Sequence, residues 1–227
     1  MRKKVYISVL NQGAIRPELV SLLHNLTFQN KYELMISYPS EKPIANNRNT
    51  IVQSFLQRPE FDYLMMIDND IVPPLDILNL VDYQKDIIAP VLFMYQQKAV
   101  IPLILERKPD GLYTTKPFRG HEGLTECDAV GTGCIVLSRK VLEAVRKPFM
   151  NEYDADGIKL YGLDIAFCRR AGDIGFKTYC HLDYVCSHHT ELDLKNVYAA
   201  LSDLTEHRDK LIERVKLCED DKDNLHS

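Results

Sequence analysis

The chain has 227 residues, enough to bury one sizeable core and few for two, and its 45% apolar and 26% charged composition is that of an ordinary globular protein. A formal net charge of -4 gives no electrostatic reason to bind nucleic acid or an anionic membrane. No run approaches the roughly 18 uninterrupted apolar residues of a membrane span, and the six cysteines include no C-x-x-C pair, so reduced thiols are expected.

The opening "MRKKVYISVLNQG" sets basic residues before an apolar run too short for a secretory leader, with no small-residue cleavage site after it. It reads as a first strand over 5–10, in a protein expected to be cytoplasmic. "RPELVSLLHNL" follows, with Leu19, Leu22, Leu23 and Leu26 on one helical face and Pro17 in the first turn. A second strand, 32–38, leads to "NNRNTIVQSFLQ", whose Ile51, Val52, Phe55 and Leu56 form another helical stripe. "DYLMMIDND" is a third strand that ends on carboxylates. A helix over 73–83 and a fourth strand over 86–93 complete a run of β-α-β units, the pattern of a doubly wound, largely parallel sheet.

After residue 95 the rhythm changes. Apolar "VIPLIL" (100–105), a turn at Pro109-Asp110-Gly111 and the glycines at 111, 120 and 123 mark a long excursion with hairpin character, suited to a substrate loop. "CIVLS" (134–138) reads as a strand, "RKVLEAVRK" as a short helix, "GLDIAFCRRAGDIG" as a helix ending in glycine, and "FKTYC" as a strand. The stretch 193–217 is helical, with an apolar stripe of Leu194, Val197, Leu201, Leu204, Leu211 and Val215 that could dock on the domain or form a homodimer. Docking is the expected arrangement: residues 1–192 as one domain, and 193–227 as a C-terminal helix and acidic tail packed on it.

Asp68 and Asp70 are one residue apart, so in a strand they share a face and at its end they can converge. Two such carboxylates repel unless a cation lies between them, and oxygen ligands of this kind suit Mg²⁺ or Mn²⁺ with phosphate oxygens and water completing the shell. In open α/β sheets ligands bind beyond the carboxyl ends of the strands, where this pair stands. The plain alternative is a solvated turn with Asp70 capping the next helix.

The segments "ANNRNTIVQSFL", "FDYLMMIDNDIVPPLDIL", "AVGTGCIVLSRKVLEAV" and "GLDIAFCRRAGDIGFKTYCHLDYVCSHH" resemble, in that order, the nucleotide-sugar-dependent glycosyltransferases of the GT-A fold, D-x-D type and family-two-like. The similarity covers about residues 5–190. It implies an α/β fold: a single GT-A-like, Rossmann-type domain with a mixed, mostly parallel central sheet flanked by helices. It also implies a nucleoside-diphosphate sugar as donor, a carbohydrate or other hydroxyl as acceptor, and Mn²⁺ or Mg²⁺ as cofactor.

The family's motifs place roles residue by residue. Asp68 would contact the ribose or sugar of the donor, and Asp70 would bind the cation bridging its phosphates. His188 falls where the family often completes the metal site; His189 is the weaker choice, since successive side chains in extended chain point opposite ways. Asp164 matches the aspartate of an E-D pair that removes the acceptor proton in inverting members, although Leu163 stands where the glutamate would be. Arg48 resembles the family's arginine at a helix start and could hold a phosphate or the nucleotide; otherwise it pairs with a carboxylate of the D-x-D strand. Gly131 and Gly133 allow close backbone approach to a ligand, Asp128 is a candidate sugar contact, and the loop Asn11 to Gly13 would hold the nucleobase or ribose.

Competing readings are a sugar-phosphate nucleotidyltransferase, poorly served by a first loop with one glycine, and a non-catalytic nucleotide- or carbohydrate-binding protein of the same fold. A zinc site from Cys180, His181, Cys186 and His188 fits no common module.

Overall fold

The computed structural model describes residues 2–208 except 12, 97, 98, 117, 119–122 and 206. Its elements run β1 (Lys4–Leu10), α1 (Pro17–Phe28), β2 (Glu33–Ser37), α2 (Ile44–Leu56), β3 (Tyr63–Asp68), β4 (Ile71–Val72), a 3-10 helix (Ile77–Tyr83), β5 (Ile87–Val91), β6 (Phe93–Gln96), β7 (Ala99–Pro102), β8 (Ile104–Arg107) and β9 (Tyr113–Thr115). They continue with β10 (Leu124–Cys127), β11 (Ala129–Val130), β12 (Cys134–Ser138), α3 (Arg139–Ala144), β13 (Glu152–Tyr153), β14 (Lys159–Tyr161), α4 (Leu163–Asp173), β15 (Thr178–Val185) and β16 (Ser187–His188).

The chain divides into two units, Met1–Tyr95 with Val100–His189, and Gln96–Ala99 with Thr190–Ser227. In the second, residues 194–205 are helical and Leu194, Leu201 and Leu204 are exposed. Leu211 and Val215 of the expected stripe lie outside the described residues. Among the described residues no helix is long and apolar enough to cross a membrane.

The first unit is built on a seven-stranded sheet in the order β10-β15-β5-β12-β3-β1-β2. β1 pairs in parallel with β2 and β3, and β5 pairs in parallel with β15. β12 lies antiparallel between β3 and β5, and β10 is an antiparallel edge. The mixed, mostly parallel sheet is therefore present, with one difference from the plain succession of β-α-β units: β12 stands in the middle. All five of its residues are buried, as a strand covered on both faces requires.

Alternation of side chains splits the core in two. Val5, Ile7 and Val9 of β1 with Met65 and Ile67 of β3 meet Leu19, Leu22, Leu23 and Leu26 of α1 and the 3-10 helix. Tyr6 and Leu10 with Leu64 and Met66 meet Ile51, Val52 and Phe55 of α2, together with Phe149 and Phe167.

Where a helix over 73–83 was expected, only 77–83 is helical and it is 3-10. The sequence pattern explains this. Its buried pairs, Ile77 with Leu80 and Leu78 with Val81, recur every third residue, the repeat of the tighter helix, and Leu75 is left 53% exposed.

Candidate functional site

The carboxyl ends of β1 and β3 lie side by side, Leu10 opposite Asp68, with the start of the antiparallel β12 against them. This junction holds the D-x-D turn from several sides. The Asp68 N–H donates to the Gly133 carbonyl at 2.7 Å, and the Asn69 N–H donates to the Leu10 carbonyl at 3.0 Å. The Asn69 amide reaches across the first loop to the Ala14 carbonyl, 2.7 Å, so the residue between the two carboxylates acts as a tether. The His189 N–H donates to the Asp70 carbonyl at 2.9 Å, and β16 pairs with β4, His188 opposite Ile71.

Asp68 and Asp70 have different surroundings. A guanidinium nitrogen of Arg48 lies 2.9 Å from each oxygen of Asp68, while Arg48 Nη1 donates to the Thr132 carbonyl at 2.9 Å. Arg48 is buried, and its guanidinium carbon sits 5.6 Å from the centre of the Phe149 ring. Of the two roles open to Arg48 from sequence, the structure places it in the pair with the D-x-D strand. Burial pushes the Asp68 carboxyl up to about 6, with Asp164 and Asp70 adding to the rise and Arg48 opposing it.

Asp70 is more open, 46% exposed, and its Oδ2 lies 3.5 Å from His188 Nε2. The bond from His188 holds the Asp70 carboxyl below its usual range, and Asp70 in turn raises the imidazole, helped by the Phe93 carbonyl. That carbonyl sits 2.5 Å from His188 Nδ1. With the Nδ1 proton given to Phe93, Nε2 is left for Asp70: as an imidazolium it donates to the carboxylate, and on losing that proton it would offer a lone pair to a cation between the two. His189 contributes its backbone to this turn, and its side chain is half-buried.

Adjacent donors around an ion with bonds of about 2.1 Å lie roughly 3 Å apart, so Asp70 and His188 are spaced to take one Mg²⁺ or Mn²⁺ with little movement. Among the described residues no group of three or more His, Cys, Asp or Glu side chains is placed to hold a metal. A cation here would draw its other ligands from a bound anion and water, the habit of Mg²⁺ at phosphate sites. The zinc reading has no site: Cys180 and Cys186 are buried, and His181 is enclosed by the rings of Tyr83 and Tyr184.

Asp164 is the second residue of α4, whose N-cap Gly162 has no capping side chain. Its carboxylate leaves the helix and meets Thr132: the Thr132 N–H donates to Oδ2 at 3.3 Å and the Thr132 hydroxyl to Oδ1 at 2.5 Å. Thr132 is a residue to which sequence alone attached no role. Its contacts to Arg48 and Asp164 span 84 and 32 residues, a separation that no local pattern reports.

The remaining candidates serve the frame. Asn11 gives its side-chain amide to the Tyr38 and Pro39 carbonyls, both 3.1 Å, and accepts from the Gly13 N–H at 3.1 Å, fixing the first loop. Gly13 has φ +117°, a backbone position that favours glycine. A cavity of about 100 Å³ opens between this loop and the D-x-D turn, bounded by Leu10, Asn11, Asn47, Asp68, Asn69 and Asp70. Two further candidates have partners within the frame. A side chain at Gly131 would lie 2.7 Å from the Leu103 side chain, so this glycine makes room for core packing rather than for a ligand. Asp128 is exposed and accepts the Arg107 N–H at 2.6 Å, which pins the corner between β10 and β11 to β8 and leaves it outside the cavity wall. Gly133 keeps its place at the site, since a Cβ there would lie 3.3 Å from Asp68 Oδ2.

No protein-family model matches the sequence, and no curated protein matches it. Among solved structures, A197 from STIV is similar over 84% of this chain and 87% of its own, with 18% identity and a TM-score of 0.56. GalNAc-T7 with UDP, GalNAc and Mn²⁺ is similar over 88% of this chain at 10% identity and a TM-score of 0.51, and the match covers 48% of its own length. The inositol-1-phosphate CTP transferase from T. maritima aligns over 90% of this chain at 11% identity and a TM-score of 0.45. The chain has the GT-A-like glycosyltransferase fold.

Proposed function

We propose that the protein is a metal-dependent glycosyltransferase that moves a sugar from a nucleoside-diphosphate sugar to an acceptor hydroxyl with inversion. The observation that carries this reading is the pairing of Asp70 with His188, 3.5 Å apart, at the carboxyl edge of the sheet. The cavity bounded by the first loop adjoins them, and Asp68 is electrostatically coupled to Asp164. GalNAc-T7, of similar fold, holds UDP, GalNAc and Mn²⁺.

Each residue has a task in such a reaction. Asp70 and His188 would hold Mn²⁺ or Mg²⁺, which supplies positive charge against the diphosphate leaving group. Asn11 and Gly13 shape the loop that would receive the nucleoside, and Asp68, fixed by Arg48, would accept from hydroxyls of the ribose or sugar. Asp164 would take the acceptor hydroxyl proton as that oxygen bonds to the anomeric carbon, while the bond to the diphosphate breaks and its electron pair leaves with the phosphate. Leu163 leaves the base without the family's neighbouring glutamate, so acceptor binding falls to other residues.

The test is an assay for nucleoside diphosphate released from a panel of nucleoside-diphosphate sugars with and without Mn²⁺, in the presence of simple sugar acceptors. Release that requires both metal and acceptor is the expected result. Pyrophosphate release from a nucleoside triphosphate and a sugar phosphate, with no sugar transfer, would overturn the reading.

A further inference from the structure

Thr132 is 0% exposed, and each of its hydrogen-bonding groups meets a residue of the site. Its hydroxyl and its N–H donate to the two oxygens of Asp164, and its carbonyl accepts from Arg48, which itself clasps Asp68. A carboxylate in the first turn of a helix ordinarily bonds the free N–H groups there or stays in solvent. Asp164 does neither through the α4 cap; both of its oxygens go to one residue on the loop before β12.

Two-point attachment fixes the plane of a carboxylate as a single bond cannot. Packing alone gives no reason for a hydroxyl here, because in a fully buried position valine has the shape of threonine without a polar group that demands a partner. The backbone on either side is held as well: Gly131 is closed in by Leu103, and the carbonyl of Gly133 takes the Asp68 N–H. Thr132 therefore sits at a point where a small change in one carboxylate's position would be passed to the other.

We infer that Thr132 is a positioning residue for the proposed transfer: it orients the Asp164 carboxylate toward the acceptor and ties it, through its own carbonyl and Arg48, to Asp68 on the donor side. The inference rests on the reading of Asp164 as the base. Loss of the hydroxyl frees the carboxylate to rotate and slows proton removal. Donor binding is left as it was, because the Thr132 carbonyl that holds Arg48, and through it Asp68, belongs to the backbone and survives the change of side chain.

The experiment compares the wild type with Thr132→Val and Thr132→Ser. For Thr132→Val, kcat falls roughly 10- to 100-fold, the size of effect expected from a misplaced catalytic group. The donor KM and the calorimetric affinity for nucleoside diphosphate with Mn²⁺ stay at wild-type values. Thr132→Ser restores the hydroxyl and recovers most of the lost kcat. An unchanged kcat in the valine variant, a loss that follows donor KM instead, or a serine variant as slow as the valine one each overturns the inference. Crystal structures of the two variants supply a readout that needs no turnover: Asp164 leaves its wild-type rotamer in the valine variant and keeps it in the serine variant. An unmoved Asp164 in the valine variant is again a negative result. If the wild type transfers no sugar, the proposed function fails and this structural comparison still decides what Thr132 does. Should the valine variant not fold, Thr132→Ala makes the same deletion and is read the same way.

Discussion

Arg48 and Asp68, 20 residues apart in sequence, form a buried pair in which one guanidinium nitrogen lies 2.9 Å from both carboxylate oxygens. Asp70, two residues on, faces a histidine. The two carboxylates of the D-x-D turn are thus separated by partner, a buried arginine for the first and a half-open histidine for the second.

Metal dependence should follow that division. A nucleoside diphosphate is expected to raise the melting temperature of the wild type only with Mn²⁺, and Asp70→Ala to abolish that rise, because bound ligand stabilises the folded state only while it binds. His188→Ala should weaken Mn²⁺ binding at least as much as the roughly 10- to 100-fold loss that follows removal of an outer-shell partner. His189→Ala should leave it unchanged. Thermal-shift titration with Mn²⁺ in all three variants checks this, and equal losses at 188 and 189 would remove His188 from its special place.

Asp68 makes stability depend on pH in an unusual direction for a carboxylate. Its folded value of about 6 lies above the ordinary 3.8, so the folded protein binds a proton that the unfolded chain releases. The stabilisation from this group is complete below the unfolded value and is lost as pH rises through about 6. Urea unfolding between pH 4.5 and 7.5 should show the wild type losing about 2 kcal/mol relative to Asp68→Asn as the pH rises. Parallel profiles would mean that Arg48 keeps Asp68 ionised throughout.

Asp164→Asn keeps the size of the side chain and removes the base. Transfer should slow by about 10²- to 10⁴-fold, the usual contribution of general-base catalysis. Nucleoside diphosphate binding, measured by calorimetry, should not change. A variant with wild-type kcat would assign the proton to another group.

Gly131→Ala tests the packing role given to that glycine. The added methyl meets Leu103 at 2.7 Å and Leu92 at 3.3 Å, so a destabilisation of about 1–3 kcal/mol is expected from overpacking. Trimming the neighbour in the double variant Gly131→Ala, Leu103→Ala should make the two changes less than additive in thermal or urea unfolding. Strict additivity would show that the contact is not what limits position 131.

Much of this architecture is legible in the chain. The apolar stripes of α1 and α2 point inward as their spacing indicates, and the carboxylates of "DYLMMIDND" fall at the carboxyl end of β3 because a strand buried on both faces must end where its polar residues begin. The position of β12 was not legible. Four buried apolar residues and a buried serine identify a strand but carry no mark of direction or neighbours. Arg48 was ambiguous for a related reason: a buried guanidinium and one that waits for phosphate look alike until the carboxylate across from it is known. Asp128 was open for the same reason: a turn-forming aspartate and a sugar-binding one share a composition, and the bond it accepts from the Arg107 N–H at 2.6 Å is a partner no local pattern reports.

The central place of β12 also governs how this chain can be made. β5 finds its sheet partners in β12 and β15, both of which follow it in sequence, and the inner edge of β3 is covered only by β12. Until residues 134–138 are in place the facing edges of β3 and β5 lack their native partner, and β5 and β10 are joined through residues 178–185, so the sheet is completed only by the carboxyl-terminal half of the chain. A fragment that ends before β12 is expected to leave those strand edges open and to aggregate.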